Sequence, residues 1–100
     1  MELMRDFEAG IVERIERDPA FARAMLDEVN ALLAAGDDEP VPGMLRVLIK
    51  GTVGFDYLSR PLSMTGETLR QMLSASSHPA ITSLSAIANA LKLEFGMTPS

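Results

Sequence analysis

The fold is decided by residues 54–73, which read GFDYLSRPLSMTGETLRQML. Pro61 lacks a backbone donor and clashes one turn back, so a helix that begins near Phe55 must be short. Thr65 is a good helix cap, and Glu67 lies in the following turn, where the helix dipole favours an acid. The stretch therefore predicts two short helices joined by a tight turn at residues 60–64.

The apolar residues of this stretch fit the packing of such a helix pair. The pair needs an apolar residue inside the first helix, a small residue where the helices cross, and apolar residues on the buried side of the second helix. The residues in these places are Leu58, Ser59, Met64, Leu69 and Met72. Two short helices flanked by a helix on either side are the layout of a helix-turn-helix DNA-binding domain.

Residues 1–42 carry two amphipathic helical patterns. The first covers about residues 2–16, where Met4, Phe7, Ile11 and Ile15 recur three and four residues apart. The second begins at Asp18-Pro19, a capping residue followed by a proline that needs no donor, and ends at Gly36. Its apolar stripe consists of Phe21, Met25, Val29, Leu32 and Leu33.

The remaining segments are predicted from helix-breaking residues and from apolar periodicity. Residues 37–43, DDEPVPG, have no periodicity and two prolines, so we expect a link between the two halves. A helix is expected over about residues 44–53, and a last helix around residues 84–91 after a loop at 74–79. Leu93 and Phe95 alternate with polar or small residues, so residues 92–97 predict a strand that could pair with its copy in a dimer.

Composition excludes several classes of protein. A chain of 100 residues predicts one domain with one modest core. Without cysteine and with a single histidine, His78, the chain cannot form disulfides, iron–sulfur clusters or zinc sites that need Cys or two His. No catalytic set accompanies His78, so we expect no enzyme activity, no metal and no cofactor. The absence of a long apolar run and of signal-peptide features predicts a cytoplasmic protein without a membrane span.

Charge is distributed unevenly between the halves. Residues 1–42 hold four basic and eleven acidic residues, a net charge of −7, whereas residues 43–100 hold five basic and three acidic residues, a net charge of +2. Such an asymmetry would orient the molecule on a polyanion. The acidic half could complete the core, form a dimer face or hold a basic partner.

Several segments resemble the Xre/Cro-type, lambda-repressor-like family, and more narrowly the addiction-module antidote proteins, which are antitoxin-like regulators. The resemblance covers roughly residues 43–95. It lies in the segments GFDYLS at 54–59, TGETLRQML at 65–73, HP at 78–79 and LSAIANAL at 84–91. Members of this family usually have glycine where this chain has Ser63, at a turn position that favours positive φ.

The resemblance implies a recognition helix that starts at Thr65. Arg70 could then bind guanine with its guanidinium fork and Gln71 could bind adenine. Phosphates would contact the amides at the start of the Phe55 helix and the loop at 76–78, with Lys50 and Arg60 as further cationic contacts. The candidate DNA-binding residues are Lys50, Phe55, Gly66, Glu67, Thr68, Arg70, Gln71, Ser74, Ser76, Ser77 and His78.

We therefore expect an all-α protein of about seven helices, in which an acidic helical hairpin (1–42) precedes a lambda-repressor-like helix-turn-helix domain (43–100). The expected function is sequence-specific binding of double-stranded operator DNA as a homodimer, because one small recognition helix contacts too few base pairs. The family resemblance implies a toxin partner, often basic. The alternative is a degenerate helix-turn-helix adaptor that binds protein and not DNA.

Overall fold

The computed structural model describes residues 2–74 and 76–96, and the side chains of residues 7–74 and 76–96. The chain forms α1 (Glu2–Arg17), α2 (Pro19–Ala35), α3 (Val41–Gly51), α4 (Phe55–Ser59), α5 (Gly66–Met72) and α6 (Ile81–Glu94). These described ranges contain no β-strand, which confirms the all-α class. They contain six helices, one fewer than the expected number of about seven.

Capping residues set the bounds of α2 where the sequence predicted them. The backbone N–H of Phe21 donates to the Asp18 carboxylate at 3.2 Å, and this hydrogen bond lowers the pKa of that carboxyl. Gly36 ends the helix in the left-handed conformation, with φ +77°, and its N–H donates to the carbonyl oxygen of Leu33 at 3.1 Å. The predicted stripe position of Met4 lies outside the described side chains.

The predicted link at residues 37–43 is wrong in its second half, because α3 already begins at Val41. Pro40 is the residue that precedes the helix, and Pro42 lies in its first turn. Backbone N–H groups in a first turn have no partner inside the helix, so a proline there loses no hydrogen bond. The two prolines therefore mark the start of α3 and do not prevent it.

The predicted strand at residues 92–97 is also wrong across the part that the structure describes. Lys92 and Leu93 continue α6, and the Phe95 N–H donates to the carbonyl oxygen of Leu91 at 2.9 Å, which is a helical hydrogen bond. Gly96 then turns the chain with φ +74°. Leu91 and Phe95 are four residues apart, so the same sequence fits a helix as well as a strand. Met97 lies outside the described residues.

One hydrophobic core draws on both halves of the sequence. Helices α1 and α2 pack on α3, α2 also packs on α6, and α4 packs on α5. The largest side chains with 0% exposure are Leu26 of α2, Leu45, Leu48 and Ile49 of α3, Leu58 of α4, Leu69 of α5, Leu73, and Leu84, Ile87 and Leu91 of α6. Full burial of each such side chain contributes about 1.5–3 kcal/mol. The acidic helices thus complete the core.

Helix α1 lies close to α3 at Gly51. A Cβ atom at this position would lie 2.7 Å from the Ile15 Cγ2 atom and 3.1 Å from the carbonyl oxygen of Val12. Ile15 is itself buried. The missing side chain of Gly51 therefore allows the two helices to make contact.

A carboxylate on α1 binds two cations on α3. Glu8 accepts hydrogen bonds from Arg46 Nη2 at 2.7 Å and from Lys50 Nζ at 2.8 Å. Arg46 Nη1 also donates to the carbonyl oxygen of Leu73, the C-cap of α5, at 2.8 Å. The hydrogen bonds from Arg46 and Lys50 lower the pKa of Glu8 from 4.5 to about 2.

We expect Gly51→Ala to destabilise the fold by about 1–3 kcal/mol, because the added methyl group would overlap Ile15. Gly10→Ala is the matched control, since nothing lies within 4 Å of a Cβ atom there. The control should stabilise the protein by about 0.5–1 kcal/mol, because alanine is the better helix former. Denaturant unfolding measures both changes, and equal effects would contradict the close approach at Gly51.

The lowered pKa of Glu8 predicts a specific loss of stability in acid. Because the folded-state pKa lies below the unfolded one, the contribution is present above pH 4.5 and is lost as the pH falls towards 2. The Glu8 side chain is 25% exposed, so we expect a contribution of about 1–3 kcal/mol. Unfolding free energies of wild type and Glu8→Gln should differ at pH 6 and converge at about pH 2.5. The difference is lost between the unfolded-state pKa of 4.5 and the folded-state pKa of about 2. Glu13→Gln, a change at an exposed position of the same helix, should not show this convergence.

Candidate functional site

Helices α4 and α5 contact each other at a glycine. Gly66, the first residue of α5, is buried, and a Cβ atom there would overlap the Asp56 carboxylate of α4. The fully buried side chains of Leu58 and Leu69 lie on the core side of these two helices. The structure therefore confirms two short helices in close contact, as the sequence predicted for residues 54–73.

The connection between α4 and α5 is a tight turn. Helix α4 ends at Ser59, as Pro61 predicted, and the backbone N–H of Met64 donates to the carbonyl oxygen of Ser59 at 3.2 Å. Ser63 has φ +57°, the one positive φ among the described residues other than glycine. A side chain in this left-handed region costs about 1–2 kcal/mol. The positive φ therefore favours glycine at this position, although this chain has serine there.

The first turn of α5 is capped by a side chain. The Thr68 N–H donates to Thr65 Oγ1 at 3.0 Å, and the two threonine hydroxyls are 2.9 Å apart. Thr65 is therefore the N-cap that the sequence predicted. The backbone donor of Thr68 is used within the helix, which leaves its exposed side chain as the group that could contact a ligand.

Three predicted site residues lie together on the exposed face of α5. Glu67 accepts hydrogen bonds from Arg70 Nη1 at 3.5 Å and from Gln71 Nε2 at 3.2 Å. The Arg70 guanidinium carbon also lies 4.9 Å from the centre of the Phe55 ring. We call Glu67, Arg70 and Gln71 the α5 triad. The triad places a cation, an anion and an amide side by side in solvent.

Two other predicted residues have packing roles. The Phe55 side chain is 5% exposed and lies below Arg70, so it orients the guanidinium and does not itself reach solvent. Gly66 is buried against Asp56. Whether the backbone amides at the start of α4 bind phosphate stays a prediction.

Lys50 lies on a different surface from the α5 triad. Its ammonium group binds Glu8, and it lines a cleft with Glu13 and Glu16 of α1. A phosphate group approaching Lys50 would meet three carboxylates. The structure therefore does not bring Lys50 together with the other predicted residues.

The loop after α5 lines a cleft of about 530 Å³ with the start of α3. Ser74, Ser77 and His78 contribute to its wall, and Ser76 is exposed nearby in the sequence. Arg46 lies in the same wall, and the acids Asp38 and Glu39 also line the cleft. Arg46 could not be identified from the sequence, because its partner Glu8 lies 38 residues away and no local spacing joins them.

Internal ion pairs reduce the positive charge that residues 43–100 offer to a partner. Glu8 pairs with Arg46 and Lys50, and Glu67 pairs with Arg70. The net charge of +2 counted along the sequence is therefore partly compensated by an acid from the other half. Exposed pairs such as Glu67–Arg70 contribute only about 0–1 kcal/mol, so a stronger ligand can separate them.

The described ranges also bear on metal binding and on membrane insertion. No group of three or more His, Cys, Asp or Glu residues there has an arrangement that could hold a metal ion. None of the helices there combines the length and the apolar composition needed to cross a bilayer.

Comparison of the chain with protein-family models, with curated proteins and with solved structures finds no match in any of the three.

Proposed function

We propose that the protein is a sequence-specific DNA-binding regulator in which α4, the turn and α5 form a helix-turn-helix unit. The observation that carries the proposal is the two-sided character of α5. Its inner side is fixed by Leu69 and Leu73, both 0% exposed, while its outer side presents the long polar side chains of the triad. A recognition helix needs this combination of a rigid base and accessible polar groups.

The chemistry of the triad suits the edges of base pairs. Arg70 can donate two hydrogen bonds to guanine, and Gln71 can both donate to and accept from adenine. Stacking on Phe55 limits the orientations of the guanidinium, which reduces the entropy lost when it binds. Each good bidentate contact gives about 1–3 kcal/mol of discrimination between bases.

The flanking segments support the same orientation on DNA. The loop residues Ser74, Ser76, Ser77 and His78 follow α5 directly, so their polar groups could bind phosphates beside the groove that α5 enters. Arg46 shares the wall of the loop cleft, but its guanidinium already donates to Glu8 and to the Leu73 carbonyl oxygen. Glu8 also binds Lys50, so neither cation is counted as a phosphate contact in this proposal.

The antitoxin role and the homodimer belong to the same proposal. Two copies of α5 would contact two half-sites about 34–36 Å apart, which a single copy cannot do. A basic toxin would bind the exposed acids of α1 and α2, such as Glu13, Glu16, Asp27 and Glu28. The resemblance of residues 43–95 to antitoxin-like regulators supports this assignment.

A specific observation also favours the alternative function, a protein-binding adaptor. Arg46, Lys50 and Arg70 each pair with an acid, which lowers the attraction of residues 43–100 for a phosphate backbone. An adaptor would use the same α5 face against a protein surface. The two functions differ in whether duplex DNA competes for this face.

The decisive experiment is an anisotropy titration of the protein with duplexes selected from a randomised library, at ~50 and ~200 mM salt. Arg70→Ala should weaken binding to the selected duplex by about 1–3 kcal/mol, because the contact to guanine is lost. Arg70→Lys keeps the charge without the guanidinium fork, so it should retain binding to unselected duplex while losing preference for the selected one.

Arg17→Ala is the matched control, since it removes an exposed arginine from α1, a helix that contains no member of the triad. It should change the affinity for the selected duplex by less than the Arg70 variants do. Failure of the wild-type protein to enrich any sequence, at either salt concentration, would reject the regulator and leave the adaptor. Thermal unfolding of each variant shows that the fold is intact.

A further inference from the structure

The α5 triad contains an acidic residue, Glu67, at a position where a basic residue would ordinarily increase the affinity of a protein surface for nucleic acid. Glu67 is exposed in the first turn of α5 and accepts hydrogen bonds from both other members of the triad. In the unbound protein, Arg70 Nη1 and Gln71 Nε2 therefore already have an acceptor. A ligand that binds these two nitrogens competes with the Glu67 carboxylate for them.

A phosphate group replaces this carboxylate poorly. A phosphate oxygen that approaches Arg70 Nη1 also approaches Glu67, because Arg70 Nη1 and Glu67 Oε1 are 3.5 Å apart. Two like charges about 4 Å apart repel by about 1 kcal/mol in water, which weakens binding about fivefold. The Glu67–Arg70 pair thus weakens non-specific binding, which depends only on the charge of the DNA backbone.

A base edge can replace the carboxylate well. Guanine offers acceptors to Arg70, adenine offers a donor and an acceptor to Gln71, and the released carboxylate can accept from the N4 amino group of cytosine. The carboxylate then exchanges two intramolecular donors for one on the DNA. Only a duplex that supplies the acceptors and the amino group together satisfies all three side chains.

On the proposed DNA-binding function, we infer that Glu67 is the specificity-determining residue of the α5 surface, which suppresses non-specific binding and requires a cytosine amino group in the bound site. The surface is selective because its acid is satisfied by few sequences. Its cation alone would bind any duplex. Specificity here comes from the penalty imposed on wrong partners as much as from contacts to the right one.

The test uses Glu67→Gln, which keeps the size of the side chain and removes its charge. Glu13→Gln is the matched control, because it makes the same change in net charge at an exposed position of α1. Wild type and both variants are titrated with one fixed duplex of arbitrary sequence at ~50 and ~200 mM salt. Each protein is also used in parallel selections from a randomised duplex library.

We expect Glu67→Gln to bind the arbitrary duplex about fivefold more tightly than wild type at the lower salt. Its preference for the selected site over the arbitrary duplex should fall, and its selected motif should lack a cytosine position that the wild-type motif contains. Glu13→Gln should match wild type within about twofold, because Glu13 lies on α1 and has no part in the α5 triad. A merely structural role for Glu67 would change the melting temperature without moving the motif.

The failures of the two proposals are distinguishable. If wild type selects a motif and Glu67→Gln selects the same motif with the same ratio of affinities, the inference is overturned while the DNA-binding function stands. If neither wild type nor Glu67→Gln binds any duplex, both are overturned.

Discussion

The Glu8 carboxylate, with its hydrogen bonds from Arg46 and Lys50, is the polar constraint that holds α1 and the end of α5 on α3. It joins α1 to α3 at the polar edge of their contact, and Arg46 extends the connection to the Leu73 carbonyl at the end of α5. A charge-assisted network that is only about a quarter exposed at Glu8 and Arg46 is stronger than a surface pair. The orientation of the proposed DNA-binding helix is thereby coupled to a helix at the other end of the sequence.

Local chemistry made much of this fold predictable. Asp18, Gly36 and Thr65 each mark a helix end by an interaction that spans only a few residues, and Pro61 in the same way predicts the early end of α4 before the turn at 60–64. The errors arose where one local pattern fits two structures. Prolines can stand at the start of a helix as well as prevent one, so α3 begins at Val41, inside the segment that was predicted to be a link. Residues at the end of α6 have spacings that fit both a strand and a helix.

Long-range contacts at the site could not be predicted in this way. The exposed face of α5 follows from helical spacing, so Glu67, Arg70 and Gln71 were found together from sequence. The pairing of Glu8 with Arg46 and Lys50 joins residues from two separate helices, and nothing in either segment encodes the partner. For this reason the charge counted along the sequence overstates the positive charge that the folded C-terminal half presents, and the pairing of Lys50 with Glu8 could not be predicted.

The packing of α1 and α2 also has a consequence for the order in which the protein can fold during synthesis. These helices contact one another and bury their apolar residues mainly against α3 and α6, which are synthesised after them. As the chain leaves the ribosome, Ile15, Leu26 and Val29 cannot be fully covered until α3 has emerged, and the core closes only when α6 is complete near Glu94. The apolar surface of α1 and α2 thus stays open until α6 has been synthesised, and the net charge of −7 over residues 1–42 favours the solubility of such a segment.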